Sequence, residues 1–162
     1  MDVLILITGG TLDKVHDTVS EALVFGENDQ TQLSSLLQNG RCYHPRCETL
    51  FLKDSLNMDA DDRTAVLSAV LAAEETDIVI THGTGTMELT AKYLAGKVGD
   101  KTVVLTGAMR PFSLGGSDAG FNVGGAVIAA QTLPEGVWGV MNGRVFAAED
   151  ISKDTELGRF DI

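Results

Sequence analysis

Residues 77–94 read Asp77-Ile78-Val79-Ile80-Thr81-His82-Gly83-Thr84-Gly85-Thr86-Met87-Glu88-Leu89-Thr90-Ala91-Lys92-Tyr93-Leu94. The hydrophobic period changes within this one stretch. Ile78, Val79 and Ile80 form an unbroken β-branched run, as a strand covered on both faces requires. Beyond a short turn of Gly and Thr, Met87, Thr90, Ala91 and Leu94 recur at i, i+3, i+4 and i+7, the spacing of one buried helix face. Strand, tight loop and helix in that order predict an open parallel sheet with the loop at a strand's carboxyl end, where such sheets bind ligands. Gly83 and Gly85 let the backbone come close to a ligand, and Thr84 and Thr86 bring hydroxyls that donate, accept or, when activated, attack. The same hydroxyls would also serve as plain helix caps.

Outward from this stretch the alternation continues. Residues 3–7 are a second continuous apolar run, ending in Thr8-Gly9-Gly10-Thr11-Leu12-Asp13-Lys14. That turn lacks the three spaced glycines of a dinucleotide fingerprint and the Gly-Lys-Ser/Thr of a phosphate loop. It does leave Thr11 standing on a bare backbone, the setting of a nucleophile whose carbonyl target must lie close. Residues 15–29 show no period and are expected to be a long loop over the sheet end, able to act as a lid. Residues 32–38 predict a helix ending at Asn39-Gly40, and residues 49–52 a short strand leading to Asp54-Ser55. Asp59 is expected to cap a helix over 60–73. Residues 102–106 predict a strand, 118–131 a helix buried along Val123, Val127 and Ala130, and 137–147 a hairpin turning at Asn142-Gly143. A polar tail follows over 149–155. The order predicts one domain over 1–162: a three-layer α/β sandwich with a mostly parallel, Rossmann- or flavodoxin-like sheet and a carboxyl-terminal β-hairpin.

Composition narrows the classes. Hydrophobic residues make up 44% and charged residues 22%, with no run long enough to cross a bilayer. The formal net charge is -11, from 23 acidic residues against 12 Lys plus Arg. Without a basic cluster, nucleic acid and anionic membranes are poor partners. The amino terminus enters a strand directly with no basic n-region, and a cytoplasmic protein is expected. Cys42, His44 and Cys47 offer three ligands where closed zinc needs four, so a pair of reduced thiols is expected and no metal.

Six motifs stand in the order found in bacterial-type L-asparaginases: residues 8–12, the Asp54-Ser55 loop, 81–88, 105–111, Ser117-Asp118 with Asn122, and Val140-Met141-Asn142 through Ser152-Lys153. The chain resembles the amino-terminal domain of that family over nearly its whole length. The resemblance implies hydrolysis of a small carboxamide, L-asparagine or a related amide, with release of ammonia. It makes Thr11 the nucleophile and implicates Thr84 and Lys153 in proton transfer. It gives Ser55 the substrate carboxylate, and it lines the site with backbone at Gly10, Gly83, Gly85 and Ala108. No cofactor is implied, because hydroxyl, lysine and backbone donors suffice for acyl transfer. A homodimer or higher homo-oligomer is expected, since an open sheet leaves apolar surface for a two-fold partner. Two positions depart from the family pattern. Gly85 stands where the family has the aspartate that holds the substrate's α-ammonium, and Leu23 stands where its flexible loop carries a tyrosine, with His16 the polar aromatic residue nearby. These departures frame the alternative, a non-catalytic module that binds a small amide or amino acid, or a scaffold.

Overall fold

The computed structural model describes residues 2–161. In chain order its strands are β1 (Val3–Gly9), β2 (Lys14–His16), β3 (Leu23–Phe25), β4 (Arg46–Lys53), β5 (Asp77–Thr81), β6 (Thr102–Thr106), β7 (Gly136–Met141), β8 (Arg144–Ala147), β9 (Lys153–Asp154) and β10 (Arg159–Phe160). The helices are α1 (Leu33–Asn39), α2 (Ala60–Ala72), α3 (Met87–Leu94) and α4 (Ala119–Thr132). The main sheet runs β4-β1-β5-β6-β7-β8, parallel throughout except for β8, which returns antiparallel from β7. From β1 the chain crosses to β4 on one side and comes back to β5 on the other. The crevice beyond the carboxyl ends of β1 and β5 is therefore the topological switch point, where open α/β sheets bind ligands.

The two faces of the sheet follow from strand alternation. Leu4, Leu6, Ile78 and Ile80 point into a layer closed by α2 and α3 through Val66, Val70, Met87, Ala91 and Leu94. Val3, Ile5, Ile7 and Val79 point into the opposite layer, closed by α1 and α4 through Leu33, Leu36, Val123 and Val127. Each fully buried large aliphatic side chain contributes about 2 kcal/mol of transfer free energy. The line Met87, Thr90, Ala91, Leu94 expected from the period is the buried face of α3. Asp59 caps α2 in a reciprocal box, accepting from Asp62 N at 2.9 Å while Asp62 accepts from Asp59 N at 3.0 Å. Asn142 (φ 53) and Gly143 (φ 77) make the β7–β8 turn with both residues left-handed, the type I′ geometry that suits strand twist.

Two expectations require correction. Residues 15–29 are not a structureless loop. β2 and β3 pair antiparallel, with Lys14 opposite Phe25 and His16 opposite Leu23, and the hairpin is tied to the 3-10 turn at Phe112–Leu114 by Ser113 Oγ donating to Lys14 O at 2.8 Å. The polar tail is likewise a small hairpin, β9 on β10, with Lys153 opposite Phe160. α1 ends where expected, with Gly40 as its cap in helical angles and Arg41 (φ 53) left-handed after it.

Candidate active site

Three loops meet at the switch point because glycine lets their backbones touch. Gly10 has φ 82 and ψ -175, a conformation almost confined to glycine. A methyl group there would lie 2.5 Å from Gly83 N. At Gly83 one would lie 2.6 Å from Ser55 Cβ and Oγ. The loop after β1 thus presses on the loop after β5, which presses on the loop after β4. Thr8 Oγ1 donates to Thr81 O at 2.8 Å, and Gly10 N donates to Lys53 O at 2.9 Å, fixing the register of the three strand ends.

The cleft above this junction encloses about 140 Å³. Gly10, Thr11, Ser55, Gly83, Thr84, Gly85 and Lys153 all line it, together with Asp54 and Leu56. Lys153 arrives from the far end of the chain, and its Nζ donates to Thr84 Oγ1 at 2.9 Å. Its hairpin is anchored through amides. Asn122 Nδ2 donates to Gly107 O, Asn122 Oδ1 accepts from Asn142 N, and Asn142 Oδ1 accepts from Phe160 N opposite Lys153. Ser55 is buried. Its Oγ accepts from Thr86 N at 3.2 Å and its carbonyl from Thr86 Oγ1 at 2.8 Å, which leaves the serine hydroxyl hydrogen to donate into the cleft. Ala108 is not in the lining; it is fully buried in the core layer under α4. His16 and Leu23 are exposed, opposite one another on the β2–β3 hairpin, and also outside the lining.

Some contributors carried no signal that periodicity or spacing could detect. Lys14 Nζ donates to Asp54 Oδ2 at 2.6 Å, linking the β2–β3 hairpin to the cleft wall. The Lys14 hydrogen bond, then the Leu56 amide, hold the Asp54 carboxyl below its usual range. Asp13 is fully buried; its Oδ1 accepts from Thr31 Oγ1 and Gln32 N, closing the base of the excursion that follows Thr11. Burial pushes the Asp13 carboxyl up, against those two hydrogen bonds. Asp118 and Arg110 are structural: Asp118 accepts from Met109 N and Arg110 N, and Arg110 donates to Gly115 O. Cys42 and Cys47 are free, with Cys42 Sγ 3.8 Å from His44 Nδ1. Among the described residues no group of three or more His, Cys, Asp or Glu is placed to hold a metal ion, and no helix is long and apolar enough to cross a membrane.

His82 lies beneath the cleft. Its Nδ1 is 2.7 Å from Gly83 O, a pure acceptor, so Nδ1 carries the hydrogen and Nε2 accepts from Thr90 Oγ1, also at 2.7 Å. Burial lowers its pKa to about 4. An unfolded histidine takes up its proton near 6.5, so the neutral ring's contribution to stability is complete above pH 6.5 and is lost as pH falls toward 4. We expect a loss on the order of 3 kcal/mol across that window, read by urea unfolding at a series of pH values. Nitrogen NMR should keep the ring neutral at pH 5.5, and a folded-state titration near 6.5 would contradict this assignment.

The family model described as "Asparaginase, N-terminal" matches residues 2–159. The chain is 32% identical over 160 residues to the probable periplasmic L-asparaginase of Haemophilus influenzae, covering 94% of this chain and 46% of that protein. A segment of 85 residues is 45% identical to L-asparaginase 2 of Escherichia coli, covering 49% of this chain and 24% of that one. The thermostable L-asparaginase from Thermococcus kodakarensis superposes with a TM-score of 0.83 at 28% identity, over 99% of this chain and 51% of that structure. The probable cytoplasmic L-asparaginase from Campylobacter jejuni superposes with a TM-score of 0.81 at 26% identity, over 99% and 52%. The chain spans about half the length of the curated relatives it matches along its length, and with the amino-terminal family model matching residues 2–159 it belongs to the asparaginase family.

Proposed function

We propose that the chain is an amidohydrolase that releases ammonia from a small carboxamide, L-asparagine or a related amide, with Thr11 as nucleophile. The observation that carries this reading is the 2.9 Å hydrogen bond between Lys153 Nζ and Thr84 Oγ1 in the cleft that Thr11 also lines. A hydroxyl and an amine from segments 69 residues apart meet there, which chain connectivity does not require. The relatives' printed names, L-asparaginase and glutaminase-asparaginase, supply the side-chain amide as substrate class.

In this reading Ser55 donates to the substrate carboxylate, and the amide carbon lies over Thr11. Thr11 Oγ1 bonds to that carbon while its proton passes to the Thr84–Lys153 pair. Backbone N–H groups of the loops after β1 and β5 stabilise the oxyanion, other than that of Gly10, which is given to Lys53 O. The C–N bond then breaks, and the nitrogen leaves as ammonia with the relayed proton. Water attacks the ester, giving the free acid and restoring the Thr11 hydroxyl. A second copy of the chain is the partner in this reading, and exposed apolar side chains such as Phe121 and Ile128 are surface it could cover.

The test is ammonia release over asparagine, glutamine, N-acylated asparagine, succinamic acid and small peptides, with light scattering on the same sample. Turnover by a dimer, lost in Thr11→Ala, is expected. A folded protein that binds an amide without turning it over, with affinity unchanged in Thr11→Ala, would make it a binding module instead.

A further inference from the structure

Gly85 is more than a missing carboxylate, because it joins two cavities. Beyond the cleft lies a second cavity of about 350 Å³ that shares Leu56, Thr84, Gly85 and Lys153 with it and adds Glu88, Thr155 and Phe160. A methyl group at Gly85 would stand 3.1 Å from Leu56 Cδ2 and 3.3 Å from Ser55 Oγ, so any larger side chain would stand in the join. With glycine the passage stays open, and the roof over it is the 74% exposed Leu56.

The inference rests on the carboxamide reading, in which Ser55 holds the substrate carboxylate and Thr11 attacks the side-chain amide. Those two contacts place the substrate's α-carbon beside Gly85. Its α-nitrogen then faces glycine and leucine, and the carboxylate of the cleft lining, Asp54, already accepts from Lys14 Nζ and Leu56 N. That is a poor setting for a bare ammonium, which loses its water unless a free carboxylate replaces it. A peptide nitrogen carries no charge and continues into the second cavity. There Glu88, in the first turn of α3 and partly buried, makes no hydrogen bond or ion pair with any side chain among the described residues. Its acidic group is available to a cation arriving from Gly85.

We propose that the preferred substrate is an asparagine at the carboxyl end of a short peptide. Its carboxylate lies on Ser55, its peptide nitrogen passes Gly85, and the ammonium of the preceding residue is taken by Glu88. The chemistry at the amide is unchanged; the second cavity selects the substrate.

Three substrates separate the contributions: asparagine, N-acetylasparagine and glycylasparagine. We expect kcat/KM for glycylasparagine to exceed that for N-acetylasparagine about tenfold, the scale of one charge-assisted contact, and asparagine to be the poorest. Glu88→Gln should bring the glycyl-to-acetyl ratio close to one, and Gly85→Asp should invert the order in favour of asparagine. Asparagine as the best substrate of the native protein, or a ratio that Glu88→Gln does not change, would overturn the proposal. Should no amide be turned over, the amidohydrolase reading falls and calorimetric binding decides this one separately. Tighter binding of glycylasparagine than of N-acetylasparagine, lost in Glu88→Gln, supports it, and equal binding overturns it.

Discussion

Gly10→Ala is expected to lower stability on the order of 3 kcal/mol and to remove at least about a hundredfold of turnover. Two penalties combine. The residue's φ of 82 with ψ near 180 is accessible to glycine and strained for any L side chain. The added methyl would also lie 2.5 Å from Gly83 N, an atom of backbone that cannot rotate away as a side chain tip can. Relief requires the loop after β1 to retreat from the loop after β5, and that is the motion which separates Thr11 from Thr84. An error near 1 Å in such an arrangement is worth about two orders of magnitude in rate. Gly120→Ala is the matched control, since a methyl there meets nothing within 4 Å and the residue lies in α4. Removing helix glycine should leave activity intact and raise stability by about 0.5–1 kcal/mol. Denaturant unfolding and ammonia release on both variants check the pair. Equal effects at the two positions would show that the contact between the loops is not under the tension described.

The fold was legible wherever burial imposes a period. β1 and β5 are covered on both faces, so every residue from Val3 to Ile7 and from Ile78 to Ile80 had to be apolar. α3 announces itself through Met87, Thr90, Ala91 and Leu94 for the same reason. The two small hairpins were not legible. β2 and β3 are exposed or half-buried, so no alternation is enforced, and their link turns through Glu21 at φ 56 instead of an Asn-Gly pair. β9 and β10 are two residues each. Within the site, Gly10, Thr11 and Thr84 stand out because a strand ends there in glycine and hydroxyl. Lys14 with Asp54, Asp13 with Thr31, and Glu88 in the second cavity depend on contacts across 40 residues, 18 residues and an open passage. No local pattern encodes such meetings. Lys153 lay between these cases: a lysine in a polar tail looks solvated, and only the motif order around it singled it out.

Lys153→Met is the sharpest test of how the cleft moves protons, with kcat expected to fall by about 10²–10⁴. Methionine keeps much of the stem's bulk, so packing against the cleft wall should survive, and the hairpin keeps its anchor through Asn142 and Phe160 N. What disappears is the donor on Thr84 Oγ1. If the amine acts only as a fixed positive charge that orients Thr84, Lys153→Arg should restore most of the rate, because guanidinium carries the same charge and reaches further. If the amine must lose and regain a proton in each turnover, arginine fails, since it stays protonated at every working pH. We expect failure. Thr84→Val should then resemble Lys153→Met, and the double variant should be little worse than either alone, because residues that act as one unit lose their function together. Additive losses would mean that Thr84 and Lys153 serve separate steps, and the proton from Thr11 would need another acceptor in the cleft.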